Sequence, residues 1–258
     1  MLTSPSLTRY PSIADRVVYI TGGATGIGAS LVEAFIRQGA RTAFIDIDTD
    51  ASADLCTRMQ EQYGAMPLFM PCDVRDLDAL KSTIEHTRAT LGDITTLVNN
   101  AAHDERHDFH AVTPAYWDQR LEINLRPYFF AIQAVAPHLQ RQGGGSIINF
   151  SSISWKIKAS NYPLYAMCKA AAHGLTRSMA RELGTHKIRI NTVTPGWVMT
   201  KRQLENWVTP DSELDINRNQ CLPGRVMAED VSAMVLFLAP DDSKMCTAQE
   251  FVVDAGWT

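Results

Sequence analysis

Short runs of consecutive apolar residues alternate along this chain with longer stretches in which apolar side chains recur every three or four positions. The run Val17-Val18-Tyr19-Ile20 is followed by Leu31, Val32, Phe35 and Ile36 at helical spacing, ending before Gly39. A continuous apolar run suits a strand buried on both faces, whereas the longer period suits a helix with one face against a core. On this basis strands are expected near residues 16–20, 42–46, 67–71, 95–99, 145–150, 188–194 and 250–253. Their alternation with helices implies parallel pairing, since each crossover helix carries the chain back to the same end of the sheet. The expected fold is α/β: a doubly wound, Rossmann-type parallel sheet of about seven strands with helices on both faces. No repeat, low-complexity tract or linker interrupts the 258 residues, and Gln142-Gly143-Gly144-Gly145 reads as a connection, so one domain is expected over 1–258.

The first strand-to-helix junction carries chemistry. Thr21-Gly22-Gly23-Ala24-Thr25-Gly26-Ile27-Gly28 lets the backbone come close to a pyrophosphate, and the helix that follows offers free N–H groups to it. A second apolar run ends in Asp46, eighteen residues after Gly28, where an acid binds the hydroxyls of an adenine ribose. No Lys or Arg follows Asp46 directly and Thr25 is not basic, so a 2′-phosphate would find no partner and NAD is expected over NADP. An ordinary βα turn with a solvated strand-end acid is the plainer reading of the same residues.

Tyr165 and Lys169 stand four apart, with Ser152 thirteen residues before the tyrosine. On a helix that spacing puts both side chains on one face. An ammonium near a phenol, whose pKa is ordinarily about 10, favours the ionised base, and a serine hydroxyl beside it can hold the oxygen of a substrate.

These motifs, in this order, resemble a short-chain dehydrogenase/reductase of the single-domain type. The resemblance extends from Val17 to Trp257 and includes Cys72-Asp73-Val74, Asn99-Asn100-Ala101-Ala102, Asn124 in Glu122-Ile123-Asn124-Leu125, Gly145 through Ser152, and Pro195-Gly196-Trp197-Val198-Met199-Thr200. Ala102 departs from the family's usual glycine. The resemblance implies a catalytic set of Asn124, Ser152, Tyr165 and Lys169, with Asn124 holding a water that relays the proton outward. It implies that Gly22, Thr25, Gly26, Ile27 and Gly28 surround the pyrophosphate, and that Asp46, Asp73, Val74 and Asn100 hold the adenosine half. Val198 and Thr200 then contact the nicotinamide amide, while Lys169 binds its ribose beside Tyr165. It also implies a homotetramer built on the helices carrying Asn124 and Tyr165 and on the C-terminal strand, for which Ala170, Leu175, Met179 and Leu183 form a compatible apolar stripe.

The substrate side is expected in the polar segment His103-Asp104-Glu105-Arg106-His107-Asp108-Phe109-His110, which leaves the carboxyl end of a strand, and in a loop over about 197–225. Carboxylate, guanidinium and aromatic side chains suit adjacent sugar hydroxyls and the C–H face of a sugar ring. Asp104, Arg106, His107, Ser152, Trp155, Asn161, Tyr165, Trp197, Arg202 and Gln203 are the expected contacts, with Tyr162 and Trp207 as further rings. A metal cluster at His103, His107 and His110, or a solvated loop, are the other readings; the family chemistry needs no metal.

His-Asp-x-Arg-His after Asn-Asn-Ala-Ala, Pro-Gly-Trp-Val-Met-Thr-Lys-Arg-Gln from Pro195, and Gln220-Cys221-Leu222-Pro223 look like a bacterial subgroup that oxidises galactose-, fucose- or arabinose-like aldoses at C1 to lactones. An NAD-dependent aldose 1-dehydrogenase is thus expected. A dehydrogenase acting on a secondary alcohol of a deoxy-keto sugar acid or a polyol is the alternative, with Arg106 and Arg202 available to a carboxylate. A non-catalytic NAD-binding regulator is a third.

The formal net charge of −4 gives no basic footprint for nucleic acid. No apolar run is long enough to span a membrane and no apolar leader core is visible, so no membrane partner and a cytoplasmic location are expected. The five cysteines are scattered without metal-ligand spacing and read as free thiols.

Overall fold

The apolar runs form strands β1 (Val17–Thr21), β2 (Arg41–Asp46), β3 (Leu68–Pro71), β4 (Thr96–Asn99), β5 (Gly145–Phe150), β6 (Ile188–Pro195) and β7 (Glu250–Val253), each bound within one residue of its expected position. In this computed structural model, which describes residues 8–258, they make one sheet in the order β3-β2-β1-β4-β5-β6-β7. Every neighbouring pair is parallel. Strand order reverses between β1 and β4, so a crevice opens at the carboxyl ends of those two strands.

Alternate residues of each strand feed opposite cores. Val18 and Ile20 pack with Val98, Ile148 and Val193 under α1 (Gly26–Arg37) and α9 (Ala228–Leu238). Val17 and Tyr19 pack with Leu97, Ile147 and Ile190 under α3 (Leu77–Leu91), α5 (Arg126–Arg141) and α6 (Pro163–Gly184). Each large apolar side chain removed from water on these faces contributes ~1.5–3 kcal/mol, and the two layers fix the sheet between them. Between β2 and β3 lies α2 (Thr49–Tyr63), whose N-cap Asp48 accepts from the Ala51 N–H.

Two local features shape the site. Helix α4 (Pro114–Asn124) stops and α5 restarts two residues later, because Pro127 in its first turn has no N–H to continue the earlier ladder. Within 197–225, expected as a loop, the chain forms two helices, α7 (Lys201–Asn206) and α8 (Pro210–Asn219). Thr200 and Thr209 cap them through their side chains, and Pro210 opens α8 from the position where a missing N–H is harmless.

The stripe Leu175, Met179 and Leu183 faces the sheet's second core rather than solvent. Its apolar period is the ordinary one of a helix packed on its own sheet. The exposed apolar side chains of this side are instead Trp117 on α4, Phe129 and Phe130 on α5, and Met167 on α6.

The β1–α1 turn is the tightest backbone approach in the sheet. A Cβ at Gly28 would lie 1.8 Å from the Gly22 carbonyl oxygen, whereas one at Gly174 in α6 would meet nothing within 4 Å. Gly28→Ala is therefore expected to lower unfolding stability by more than ~2 kcal/mol, and Gly174→Ala to raise it by ~0.5–1 kcal/mol, in a chemical-denaturation comparison.

Candidate active site

The glycine turn is tied to its surroundings by backbone groups and three side chains. Gly22 N–H and Gly23 N–H both donate to the Ile45 carbonyl, at 2.8 and 3.1 Å. Asn100 Nδ2 donates to the Thr21 and Gly22 carbonyls at 3.0 and 2.8 Å, while Thr21 Oγ1 accepts from the Asn100 and Ala101 N–H groups. Gly22, at φ +69°, leaves room for Ala101, whose Cα would stand 2.8 Å from an added Cβ. Ala102 does not adopt the left-handed conformation that would demand glycine, so the extra methyl sits in ordinary backbone.

Thr25 precedes α1 without making a side-chain cap, and the first turn of α1 holds no acid. The N–H groups of that turn, at Ile27 and Gly28, are thus open to an anion, as a pyrophosphate requires. Asp46, at the end of β2, accepts from Ala24 N–H at 2.9 Å and Asp48 N–H at 3.0 Å. A carboxylate has about four lone-pair positions, so two remain for ribose hydroxyls. The residues that follow it, Ile47 and Asp48, bring no cation. These features fit a dinucleotide without a 2′-phosphate.

Asp73 faces solvent and chelates the Arg75 guanidinium, which holds its carboxyl below the usual range. Val74 buries its side chain in the second core, so only its backbone is available to a ligand. Thr200 packs its methyl toward Gly26, and Val198 bridges to Val226, so both stand across the turn from α1. Ile27, Asn100, Val198 and Thr200 line one continuous cavity of about 1000 Å³ with Ser152, Tyr165 and Lys169.

Ser152 stands two residues past the end of β5, and its hydroxyl accepts from the Ser154 N–H at 3.2 Å. Tyr165 lies in the first turn of α6, against the Tyr162 ring. Part of Tyr165 opens to the cavity, but packing on its other sides raises the phenol well above its ordinary value. The nearby Asp104 charge pushes the same way, while hydrogen bonding to Ser152 pulls down.

Lys169 shares the α6 face with Tyr165, its Nζ 5.5 Å from the Tyr165 ring centre. The ammonium does not lie against the phenol oxygen, as the spacing alone suggested. It donates to the Tyr128 hydroxyl at 2.8 Å and to the Phe150 carbonyl at 3.1 Å. Burial brings its pKa down to about 7. Burial thus opposes the charged form of both groups.

Asn124 is fully buried at the end of α4. Its Oδ1 accepts from His103 N–H at 2.8 Å, and its Nδ2 donates to the His103 and Arg120 carbonyls. The side chain clamps the loop after β4.

That loop supplies the substrate wall. Asp104 accepts from Arg106 Nη1 at 3.0 Å, Gln203 Nε2 at 2.8 Å and Arg202 Nε at 3.2 Å. These donors hold its carboxyl below the usual value although burial works against them. The Arg106 guanidinium lies between the Tyr162 ring at 3.9 Å and the Trp207 ring at 4.4 Å. Asp104, Arg106, Tyr162, Trp197 and Gln203 line the cavity.

Four expected contacts do not reach it. His107 donates its N–H to the Asn161 carbonyl and turns its ring to Tyr116, so this pair knits two loops behind the wall. Trp155 stands outside against His173. Arg202 reaches the cavity only through Asp104. The three histidines do not converge, and among the described residues no group of His, Cys, Asp and Glu is placed to hold a metal.

Tyr128 had no sequence signal, because its partner Lys169 is forty-one residues away on another helix. Asp215 and Asn219, also in the wall, become neighbours of the cavity only through α8. Trp257 lies 6.5 Å from Trp197 and lines the cavity with it.

A family model described as "Enoyl-(Acyl carrier protein) reductase" matches residues 22–258. The chain is 46% identical over 255 residues to a probable galactose dehydrogenase of Rhizobium meliloti (strain 1021), covering 99% of each. It is 47% identical over 248 residues to a D-xylose 1-dehydrogenase of Caulobacter vibrioides, covering 96% of this chain and 98% of that one. A solved 7α-hydroxysteroid dehydrogenase complexed with NADH and 7-oxo glycochenodeoxycholic acid superposes with a TM-score of 0.90 at 28% identity, over 97% of this chain and 98% of the other. With the glycine turn, the serine, and the tyrosine and lysine of α6 in their expected order on this sheet, the chain belongs to the short-chain dehydrogenase/reductase family of oxidoreductases.

Proposed function

We propose that the protein oxidises the C1 hemiacetal hydroxyl of a galactose-, fucose-, arabinose- or xylose-like aldose to the lactone, with NAD as oxidant. The observation that carries this reading is the state of the cavity wall. Arg106 and Arg202, the cations a substrate carboxylate would seek, both hydrogen-bond to Asp104, which competes with such a carboxylate, while Tyr165 and Ser152 open onto the same space. Such a wall suits a neutral polyhydroxylated ring better than a sugar acid. The near-full-length identity to a probable galactose dehydrogenase and a D-xylose 1-dehydrogenase supports the same substrate class. A regulator without turnover would have no need of the Ser152, Tyr165 and Lys169 arrangement.

In this mechanism the Ser152 hydroxyl donates to the C1 oxygen and holds it beside the phenol. Ionised Tyr165 accepts the hydroxyl proton, and the C1–H bond supplies its electron pair as hydride, leaving a carbonyl carbon. The nicotinamide, when bound, supplies the hydride acceptor. Lys169 keeps a cation beside Tyr165 and offers its free N–H to a ribose hydroxyl. Asn124 acts by fixing the loop that carries Asp104. The substrate segment over about 197–225 contributes Gln203, with Trp197 at its start. The glycine turn and the α1 N-terminus receive the pyrophosphate; Asp46, Asn100 and Asp73 receive the adenosine; Val198 and Thr200 meet the nicotinamide amide. The lactone then hydrolyses to the aldonic acid. We read the whole chain as one catalytic domain. Exposed Trp117, Phe129, Phe130 and Met167 suit burial between copies, which supports a homotetramer. We read the protein as cytoplasmic, without membrane or nucleic-acid partners; in the described residues no helix is long and apolar enough to cross a membrane, and the formal net charge is −4.

Initial rates with D-galactose, D-xylose, L-arabinose, L-fucose, polyols and deoxy-keto sugar acids, each with NAD and NADP, test the reading. Lactone formation from aldoses with NAD preferred at least tenfold is expected, and Asp46→Ser should narrow that preference. Turnover of a sugar acid with none of any aldose overturns the substrate class. Tyr165→Phe should reduce kcat by ~10²–10⁴ while the NAD dissociation constant stays within about twofold. Because burial raises the phenol, wild-type kcat/KM for oxidation should climb from pH 7 to pH 9; a plateau already reached below pH 7 contradicts that assignment. Light scattering should give the mass of four chains, and a monomer at micromolar concentration would rule out the assembly.

A further inference from the structure

Lys169 is almost entirely shut off from solvent, and so is Tyr128 on the facing helix α5; each is 1% exposed. The Lys169 ammonium sits between two tyrosine rings, 5.2 Å from the centre of Tyr128 and 5.5 Å from that of Tyr165. It has three N–H donors. One goes to the Tyr128 hydroxyl and another to the Phe150 carbonyl. The Tyr128 hydroxyl passes its own proton to the same carbonyl at 3.1 Å, so its lone pairs remain directed to the lysine. This closed triangle leaves one ammonium proton for the cavity side.

We propose that Tyr128 is a positioning residue for proton transfer: its hydroxyl holds the Lys169 ammonium charged and in place, and thereby sets how readily Tyr165 ionises. The inference rests on the reading of Tyr165 as the base. Its physical ground is the scarcity of acceptors around a buried cation. A charge removed from water keeps its proton only where hydrogen bonds replace hydration. Tyr128 supplies one of just two replacements among the described residues.

The other ionisable groups facing this pair do not share the task. From α6 itself, the Cys168 thiol is pushed up to about 11 by burial and stays neutral. From α5, burial carries Tyr128 well above its usual value, so it remains a hydroxyl. From the loop after β4, Asp104 is kept ionised by its donors, and Arg106 is paired with it. Tyr162, one turn before Tyr165, is raised by burial and remains protonated. Burial pulls the Lys169 pKa down, so its charge while Tyr165 ionises depends on the tyrosinate forming beside it and on the acceptors that hold it. Removal of the Tyr128 oxygen leaves the Phe150 carbonyl as its one acceptor from the described residues and tips it toward the neutral amine. Tyr165 then loses its neighbouring cation and needs a higher pH to ionise.

The test is the pH profile of Tyr128→Phe with the aldose that wild type oxidises fastest. The acid limb of kcat/KM should move up by about one pH unit and kcat at pH 7 should fall about tenfold, with the sugar KM within about twofold. Tyr19→Phe is the control, since Tyr19 is another fully buried tyrosine, hydrogen-bonded to Thr83 at 2.7 Å and remote from Lys169. It should lose stability without moving the profile. An unmoved profile in folded Tyr128→Phe, with only a lower melting temperature, overturns the inference. If that variant does not fold, 3-fluorotyrosine at position 128 keeps the ring and weakens the acceptor; a smaller shift in the same direction supports the role, and none overturns it. Tyr165→Phe, assayed in parallel, separates the two readings. An inactive Tyr165→Phe with an unmoved Tyr128→Phe profile sinks only the role of Tyr128, whereas an active Tyr165→Phe sinks both.

Discussion

The Asn100 side chain holds the two halves of the sheet in the relation that everything else requires. β1 and β4 are the neighbours between which strand order reverses, and the chain leaves them in opposite directions. A crevice forms there because no crossover helix covers the gap. Asn100 spans it by donating to the Thr21 and Gly22 carbonyls, and Thr21 answers with its hydroxyl to two N–H groups of the β4 end. The glycine turn is thereby locked against Ala101 at a distance that no side chain on Gly22 would permit. Misplacing this contact would move the α1 N-terminus, and with it the anion site, relative to the proton-transfer groups on β5 and α6.

A second constraint acts on the substrate side. Asp104 gathers three donors from two parts of the chain, and the Arg106 guanidinium is layered between Tyr162 and Trp207. One carboxylate thus joins the loop after β4 to α7, while the cation packs that loop against α6. A buried carboxylate with several hydrogen-bond donors stays ionised, and the cost of its desolvation is offset only while the donors remain. The arrangement gives both guanidiniums a carboxylate partner from the protein itself and keeps a negative charge within reach of Tyr165, opposing its ionisation. The proton-transfer pair therefore works against its surroundings on two counts, burial and Asp104, and the acceptors around Lys169 become decisive.

The sequence was most informative where chemistry depends on neighbours along the chain. Tyr165 and Lys169 share a helical face at any position in any fold, and a glycine turn between an apolar strand and an amphipathic helix has a limited set of uses. It was less informative where a side chain's partner is distant. The hydrogen bonds of the Asn124 amide to the backbone of His103, twenty-one residues away, have no signal along the chain. His107 and Trp155 sit among polar and aromatic residues that suit a sugar site, but they point away from the cavity, because the local chain direction at each position turns the side chain outward.

The chain by itself determined the strand and helix order, the parallel sheet and the place of the glycine turn, since these follow from the period of its apolar residues and from local stereochemistry. It also determined the Tyr165–Lys169 pair and the acid at the end of β2. Only the tertiary structure decided which of the polar side chains after β4 face the cavity, that Asp104 joins both arginines, and that the Lys169 ammonium is held by Tyr128 rather than lying against the phenol. Those outcomes depend on packing between segments up to a hundred residues apart, and on the balance between desolvation and hydrogen bonding that the packing creates.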